Sequence, residues 1–172
     1  MNEPIKETEI NVEDLNQNQE TTEIPLDSLS NRKIGEGFEK PNLDGKTVTI
    51  FDVKLEATNR ISKTQDGSRE YRPLILRLFY NDNTLFETYG GIMQFRNADG
   101  TFREPTIWVE GQNEAAKLFR KWSNFVGKNP KETSLKEFLL NLKGKKAIIE
   151  NKKVMYMGKE FNKNVIKEFI KE

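Results

Sequence analysis

Residues 46–62, KTVTIFDVKLEATNRIS, carry the pattern that decides the fold. Val48 and Ile50 alternate with threonines, which is typical of a strand that buries one face. Beyond Ile50 the apolar positions change parity, beginning at Val53. One extra residue in the strand would return both sets to the same face. The stretch therefore predicts a long first strand that is bent by a β-bulge near Phe51-Asp52.

The rest of the chain predicts strands and helices in a simple order. Asn113 and Ser134 are typical residues for helix starts, and Gly127 and Gly144 are typical of helix ends. The predicted elements are strands 71–80 and 84–93, a short extended segment 106–110, helices 113–127 and 134–144, and a hairpin of strands 145–157 and 160–170.

Two interruptions of the strand pattern predict local irregularities. Gly90-Gly91 indicates either a bulge or a place where a ligand approaches the backbone closely. The polar run Asn151-Lys152-Lys153 breaks the alternation of the fourth strand, and we expect another bulge there.

This order of elements predicts a mainly β fold of the α+β class. Three strands, two helices and two strands match the OB-fold, a five-stranded Greek-key barrel with its helix between strands 3 and 4. A bent first strand suits a sheet that turns a corner. The alternative is a β-sandwich, which usually has about seven strands and no central helices. We expect residues 41–172 to form the OB-fold domain.

The charge of the chain is divided between its two ends. Residues 1–30 hold eight acids and one base, a net of −7, while the remaining 142 residues hold 27 bases and 19 acids, a net of +8. Residues 1–33 contain no aromatic residue and are rich in Asn, Gln, Glu and Thr. Such a segment buries too little apolar surface to offset its ordering entropy. Residues 1–40 are therefore predicted to be a disordered acidic arm with a connecting loop.

Composition also narrows the function. The sequence has no Cys and no His, so thiol and imidazole catalysis and zinc-finger sites are excluded. We expect a protein that is not an enzyme and needs no cofactor or metal. Neither a signal peptide nor an apolar run of about 18 residues is present, so we expect a cytoplasmic protein without a membrane partner.

The domain resembles single-stranded DNA-binding proteins of the OB-fold class, especially the short forms of phages, archaea and archaeal viruses. The similarity lies in Gly45–Ile50, GKTVTI, and in the stretch 142–169, with LKGKKA at 142–147 and YMGKEFN at 156–162. It implies binding to single-stranded DNA without sequence preference, in replication, repair or recombination, near the nucleoid or in a host cytoplasm. In the bacterial family an acidic tail recruits partner enzymes, but that tail is C-terminal, whereas the acidic arm here is N-terminal.

A single-strand binder needs cations along a groove to neutralise phosphates. In an OB-fold the first two strands, the loop between them and the last hairpin border one groove. The other interpretation of each charge is that it only keeps the surface soluble. The candidate cations are Lys54, Arg60, Lys63, Arg69, Arg72, Arg77, Lys152, Lys153 and Lys159.

Such a binder also needs flat side chains on which bases stack. Tyr71 and Phe79 share the face of the second strand opposite its leucines, beside Arg77, and are the first candidates. Packing against a helix or a subunit is the alternative for both. Further candidates are Tyr89, Phe95 and Trp108, while Trp122 is expected in the core and Tyr156 and Phe161 in either the core or the groove.

Two other functions stay open at this stage. The same basic face would suit a protein-interaction subunit of a replication or transcription complex. It would also suit an RNA-binding factor, which the 2′-hydroxyl would distinguish from a DNA binder. Replication proteins that bind the acidic arm are expected as further partners, and self-association is left open.

Overall fold

The computed structural model describes residues 23–29, 31 and 40–171. The chain divides into two units, Met1–Glu39 and Lys40–Glu172. The predicted disordered arm, residues 1–40, lies almost entirely outside the described residues, so its disorder stays a prediction.

The described part of the first unit is one short turn. Leu26–Ser28 form a 3-10 helix, in which the Ser28 N–H donates to the Pro25 carbonyl at 3.0 Å. Leu26 and Leu29 are exposed over 83% and 60% of their surface. These two apolar side chains are therefore exposed and not buried within the turn.

The second unit is built on one antiparallel sheet with an open edge at each end. The sheet order is β5-β4-β3-β1-β6-β7, and β2 pairs with β3 alone. Its strands are β1 (Thr47–Ala57), β2 (Ser62–Lys63), β3 (Glu70–Tyr80), β4 (Leu85–Phe95), β5 (Thr106–Ile107), β6 (Lys146–Tyr156) and β7 (Lys159–Ile170).

Two α-helices and a 3-10 turn lie between β5 and β6. They are α1 (Glu114–Val126), the turn Pro130–Glu132 and α2 (Leu135–Leu142). Asn113 caps α1 by accepting from the Ala116 N–H, and Ser134 caps α2 by accepting from the Glu137 N–H. Gly127 ends α1 in the left-handed conformation with φ of 72°. The predicted helix positions are confirmed.

The predicted class, mainly β with two helices before the last two long strands, is confirmed. Five strands are long, as expected, and the two-residue strands β2 and β5 bring the number in the described residues to seven. The sheet as described does not close on itself. The strand pairing alone therefore does not define a barrel.

Two predicted bulges are present. The register of β1 against β3 shifts between Ile50 and Asp52, where the parity of the sequence changes. The register of β3 against β4 shifts at Gly91, whose φ is +109°. A Cβ on Gly91 would stand 2.0 Å from the side chain of Asn113, so the close approach there is made by the cap of α1.

The predicted bulge at Asn151-Lys152-Lys153 is wrong. These residues pair in unbroken register with Asn164, Lys163 and Asn162, and the shift lies earlier, between Ile148 and Ile149. The physical reason is exposure: Lys152 and Lys153 lie where the hairpin extends beyond the core, so a polar run needs no change of face.

The core lies between the sheet and the two helices. Leu76 and Leu78 of β3 are fully enclosed, as are Trp122 of α1 and Phe138 of α2. The Phe138 ring lies 5.2 Å from that of Trp122, centroid to centroid. Burying one such side chain stabilises the fold by about 1.5–3 kcal/mol. Trp122 is a core residue, as predicted.

Side chains, rather than a backbone ladder, join β4 to β7 in the described sheet. The Tyr89 hydroxyl accepts from the Ile166 N–H at 2.9 Å and lies 2.7 Å from the Tyr80 hydroxyl. The Tyr80 hydroxyl donates to the Asn164 carbonyl at 2.9 Å, and the Glu87 carboxylate accepts from the Asn164 N–H at 2.8 Å. Burial raises the pKa of both tyrosines, so both phenols stay protonated at neutral pH.

The segment before β1 is tied to the same seam. The Lys40 ammonium lies 2.8 Å from the Glu87 carboxylate. The Asn164 amide donates to the Pro41 carbonyl at 2.8 Å and accepts from the Leu43 N–H at 3.1 Å. These bonds satisfy polar groups that would otherwise be costly to bury.

None of the helices in the described residues has the length and apolar character needed to cross a membrane.

Candidate nucleic-acid interface

The outer side of β1, β3 and β4 carries three predicted site residues and one further ring, Phe86, in adjacent register. Lys54 pairs with Arg77 across the β1–β3 ladder, and Phe79 pairs with Phe86 across the β3–β4 ladder. We call these four residues the β3–β4 face. They lie together because β3 buries its leucines on the opposite side.

Cations lie over the rings of this face. The Arg77 guanidinium carbon is 4.7 Å from the centre of the Phe86 ring, and the Lys54 ammonium is 5.2 Å from that of Phe79. Both distances fall within the range of about 6 Å for cation–π attraction. Arg77 also pairs with Glu56 at 3.0 Å. The guanidinium is thus held in place without a bound ligand.

The accessible ring of the β3–β4 face is not the one that the sequence suggested. Phe79 is only 7% exposed, whereas its neighbour Phe86 is 41% exposed. The two ring centroids lie 5.7 Å apart. Sequence reasoning missed Phe86 because its position depends on the register between β3 and β4. The short turn after Tyr80 is the signal that places it opposite Phe79.

A second group lies at the far end of β3 and β4. Tyr71 and Phe95 are opposite each other, with ring centroids 6.1 Å apart, and the Arg69 guanidinium rests 3.7 Å from the Phe95 ring centre. On the other side of the sheet, the Arg72 guanidinium lies 4.0 Å from the Phe102 ring centre and donates to the Gln94 side chain. Tyr71, Arg72 and Phe95 are all half-buried.

Beside this group, two loops border an open cleft of about 650 Å³. Lys63 and residues 67–70 form one wall, and residues 96–100 with Arg103 form the other. Its charged lining consists of Lys63, Arg69, Arg96 and Arg103 with Glu70 and Asp99. We call this the basic cleft. Sequence reasoning found Lys63 and Arg69 but not Arg96 or Arg103, which come from a loop that showed no strand pattern.

Hydrogen bonds hold both walls of the basic cleft. The Asp66 carboxylate accepts from the Thr64 hydroxyl at 2.6 Å and from the Ser68 N–H at 3.0 Å. These bonds lower the pKa of Asp66 to about 2. Asp99 accepts from the Thr101 hydroxyl and N–H in the same way, and the pKa of Asp99 is lowered by the same cause. The Asp66 and Asp99 carboxylates, which accept the hydrogen bonds of these turns, are therefore ionised at neutral pH.

The third group lies at the end of the β6–β7 hairpin, residues 152–162, which we call the ribbon. Met157 and Gly158 form its two-residue turn, both with positive φ. Tyr156 is 65% exposed and Phe161 48%. Both rings therefore face solvent and not the core.

One face of the ribbon combines these rings with cations. The register pairs Lys152 with Lys163, Val154 with Phe161, and Tyr156 with Lys159. Since directly opposed residues point to the same side, the five ribbon residues of these pairs lie on one face, and Lys163, just beyond the ribbon, continues it. Lys153 lies on the other face, opposite Asn162, and approaches Glu160 at 3.8 Å.

Three predicted site residues lie outside these groups. Tyr89 is 2% exposed and forms part of the buried seam, so it is assigned to the core and not to the surface. Trp108 is 63% exposed in the loop after β5, where Arg120 bonds the nearby Val109 and Gly111 carbonyls. Arg60 is exposed in the loop after β1.

Within the described ranges, Asp and Glu form no cluster of three or more that could hold a metal ion. Comparison with models of protein families, with curated proteins and with solved structures gives no match. The candidate interface therefore stands on its geometry and charge alone.

Proposed function

We propose that residues 41–172 form an OB-type domain that binds single-stranded DNA without sequence preference. The OB-fold is a partly open barrel of five strands, and it binds oligonucleotides on the face of strands 2 and 3 and on the loops after strands 1 and 4. In this chain the corresponding long strands are β1, β3, β4, β6 and β7. The buried side-chain bonds between β4 and β7 would stand in for the missing closing ladder.

The observation that carries the proposal is the position of the three groups. The β3–β4 face lies on strands 2 and 3, the basic cleft includes the loop after strand 1, and the ribbon surrounds the loop after strand 4. The β3–β4 face and the ribbon each combine cations with aromatic rings, and Arg69 of the basic cleft lies over the Phe95 ring. A surface selected only for solubility has no reason to concentrate both on these elements.

Binding would divide between two kinds of contact. The Lys and Arg side chains neutralise phosphates, which makes the logarithm of the affinity fall with the logarithm of salt by about 0.7 per phosphate on single strands. Exposed rings stack on bases, each contributing about 1–3 kcal/mol. Among the rings of the three groups, Phe86, Tyr156 and Phe161 are the exposed ones, and Trp108, outside these groups, is 63% exposed as well.

Fluorescence anisotropy with a labelled oligo-dT of roughly 30 nucleotides tests the proposal, with duplex DNA and an RNA strand of equal length beside it. We expect strand binding that exceeds duplex binding and weakens steeply with salt. Tighter binding to the RNA would assign the surface to an RNA-binding factor. An absence of strand binding at low salt would overturn the proposal.

One observation favours a second candidate, a protein-interaction subunit. The ribbon exposes Met155 over 69% and Met157 over 85% of their surface, and flexible methionines suit adaptable protein contacts. A salt-sensitive protein complex combined with no strand affinity would favour this function. Further partners are proposed for the acidic residues 1–30, which carry a net charge of −7 and suit basic surfaces of replication proteins.

A further inference from the structure

The basic cleft is an open, solvent-exposed concavity whose volume is that of a small-ligand site. Its volume of about 650 Å³ lies within the range of about 300–1,000 Å³ that small-molecule sites occupy. Small residues, Gly67, Ala98 and Gly100, form parts of its walls and leave the space open.

The lining of the cleft selects for an anion. Four cations and two acids give it a net charge of +2. Arg96 is held by Glu70 at 3.4 Å, and the Arg103 Nε donates to the Asn97 side chain at 2.8 Å. The Arg69 guanidinium carbon lies 3.7 Å from the centre of the Phe95 ring. Guanidinium groups that are fixed in this way present further N–H donors, whose planar arrangement fits phosphate oxygens.

The walls are set before any ligand binds. Asp66 and Asp99 each hold their own loop by hydrogen bonds to a threonine hydroxyl and to backbone N–H groups. A preformed site avoids the entropy cost of ordering loops on binding. The cleft is therefore organised as a binding site in the free protein.

We propose that the basic cleft binds the terminal phosphomonoester of a DNA strand. A terminal phosphate carries about −1.5 to −2 charges at neutral pH, close to the +2 of the cleft, whereas an internal phosphodiester carries one. The cleft lies where β3 begins and β4 ends. A DNA strand that runs along the β3–β4 face would therefore place its terminus in the cleft. The path of the rest of the DNA strand along the β3–β4 face rests on the proposed function, but binding of a terminal phosphate in the cleft is tested separately.

The test compares three oligo-dT strands of roughly 10 nucleotides, with a 5′-phosphate, a 3′-phosphate or two hydroxyl ends, in competition anisotropy on the full chain. We expect one phosphorylated strand to bind about tenfold more tightly than the hydroxyl strand. The phosphorylated end that gains affinity would also define the polarity of the bound strand.

The variant Arg96→Gln/Arg103→Gln is expected to lose this gain while it keeps its affinity for the hydroxyl strand within about twofold. Lys136→Gln/Lys167→Gln, an equal change of charge at exposed positions outside the cleft, should keep the gain. Thermal melting would check that both variants fold.

Equal affinity for all three strands would overturn the proposal, as would a gain that persists in Arg96→Gln/Arg103→Gln. Failure of the general function has a different signature. If the hydroxyl strand does not bind at any salt concentration but a phosphorylated strand does, single-strand binding fails and the terminal-phosphate site stands.

Discussion

The β3–β4 face and the ribbon both carry cations and aromatic rings. These side chains are held by contacts on the face and are exposed on the ribbon. On the face, both rings have a cation above them, and core leucines fix the strands from behind. On the ribbon, Tyr156 and Phe161 stand in solvent, and none of the four cation–ring pairs in the described residues includes them. The difference indicates that packing and cation–ring contacts already position the side chains of the face, whereas the exposed Tyr156 and Phe161 side chains of the paired ribbon lack such contacts.

This comparison predicts unequal energies for similar contacts. Immobilising a flexible side chain on binding costs about 0.5–1.5 kcal/mol. Folding already immobilises the side chains of the face, whereas those of the ribbon would be immobilised only on binding. The face should therefore contribute more affinity per residue than the ribbon.

The largest effect is expected from Arg77→Gln/Phe86→Leu, which removes one exposed ring and its cation from the face. Losing a stacked base at about 1–3 kcal/mol together with a phosphate contact should weaken oligo-dT binding about 100-fold, since about 1.4 kcal/mol is a factor of ten. Anisotropy titration at fixed salt measures this. Lys136→Gln/Leu140→Ala on α2 makes a similar change of charge and apolar surface at exposed positions, and should stay within about twofold of the original protein. A face variant that binds as well as this control would place the site elsewhere.

A smaller effect is expected from Tyr156→Leu/Phe161→Leu on the ribbon. The loss should be about tenfold, because part of each stacking energy would be spent on immobilising the exposed side chains of the ribbon. The melting temperature should not change, since both rings are exposed. Met155→Ala/Met157→Ala serves as the matched control on the same ribbon, and it should keep strand affinity. Equal losses in the two variants would mean that the ribbon acts through apolar surface and not through stacking on bases.

The smallest effect is expected from deleting residues 1–30, which removes a net charge of −7. An attached polyanion repels phosphates, so deletion should tighten binding about three- to tenfold at low salt and have little effect above about 0.3 M salt. Because this effect acts on charge alone, the ratio of affinities between the face and ribbon variants should not change. Identical salt series with and without these residues would contradict a role for the arm in strand binding.

Local sequence patterns were sufficient for most of the fold. The parity change after Ile50 predicted the β1 bulge, Gly90-Gly91 predicted the bulge at Gly91, and Asn113 and Ser134 predicted the helix starts. Each of these features depends on neighbours in the chain. The absence of a ladder between β4 and β7 in the described sheet could not be predicted, because local patterns do not show whether two distant strands pair through their backbones or through side-chain bonds such as that of Tyr89 to Ile166.

The candidate site was less predictable than the fold, for the same reason. Parity placed Phe79 on the correct face but could not show that Lys54 and Phe86 cover it. Arg96 and Arg103 join Lys63 only because two loops distant in sequence meet in space. A polar loop without periodicity gives no sequence signal that it will lie beside another loop.

The most direct test of the central claim is a map of backbone amide shifts by nuclear magnetic resonance as oligo-dT is added to the protein of 20.0 kDa. We predict shifts in β3, β4, residues 64–69 and the ribbon, with the β3–β4 face responding at the lowest ligand concentration. Shifts confined to α1 and α2, or no shifts in β3 and β4 at saturation, would contradict the account.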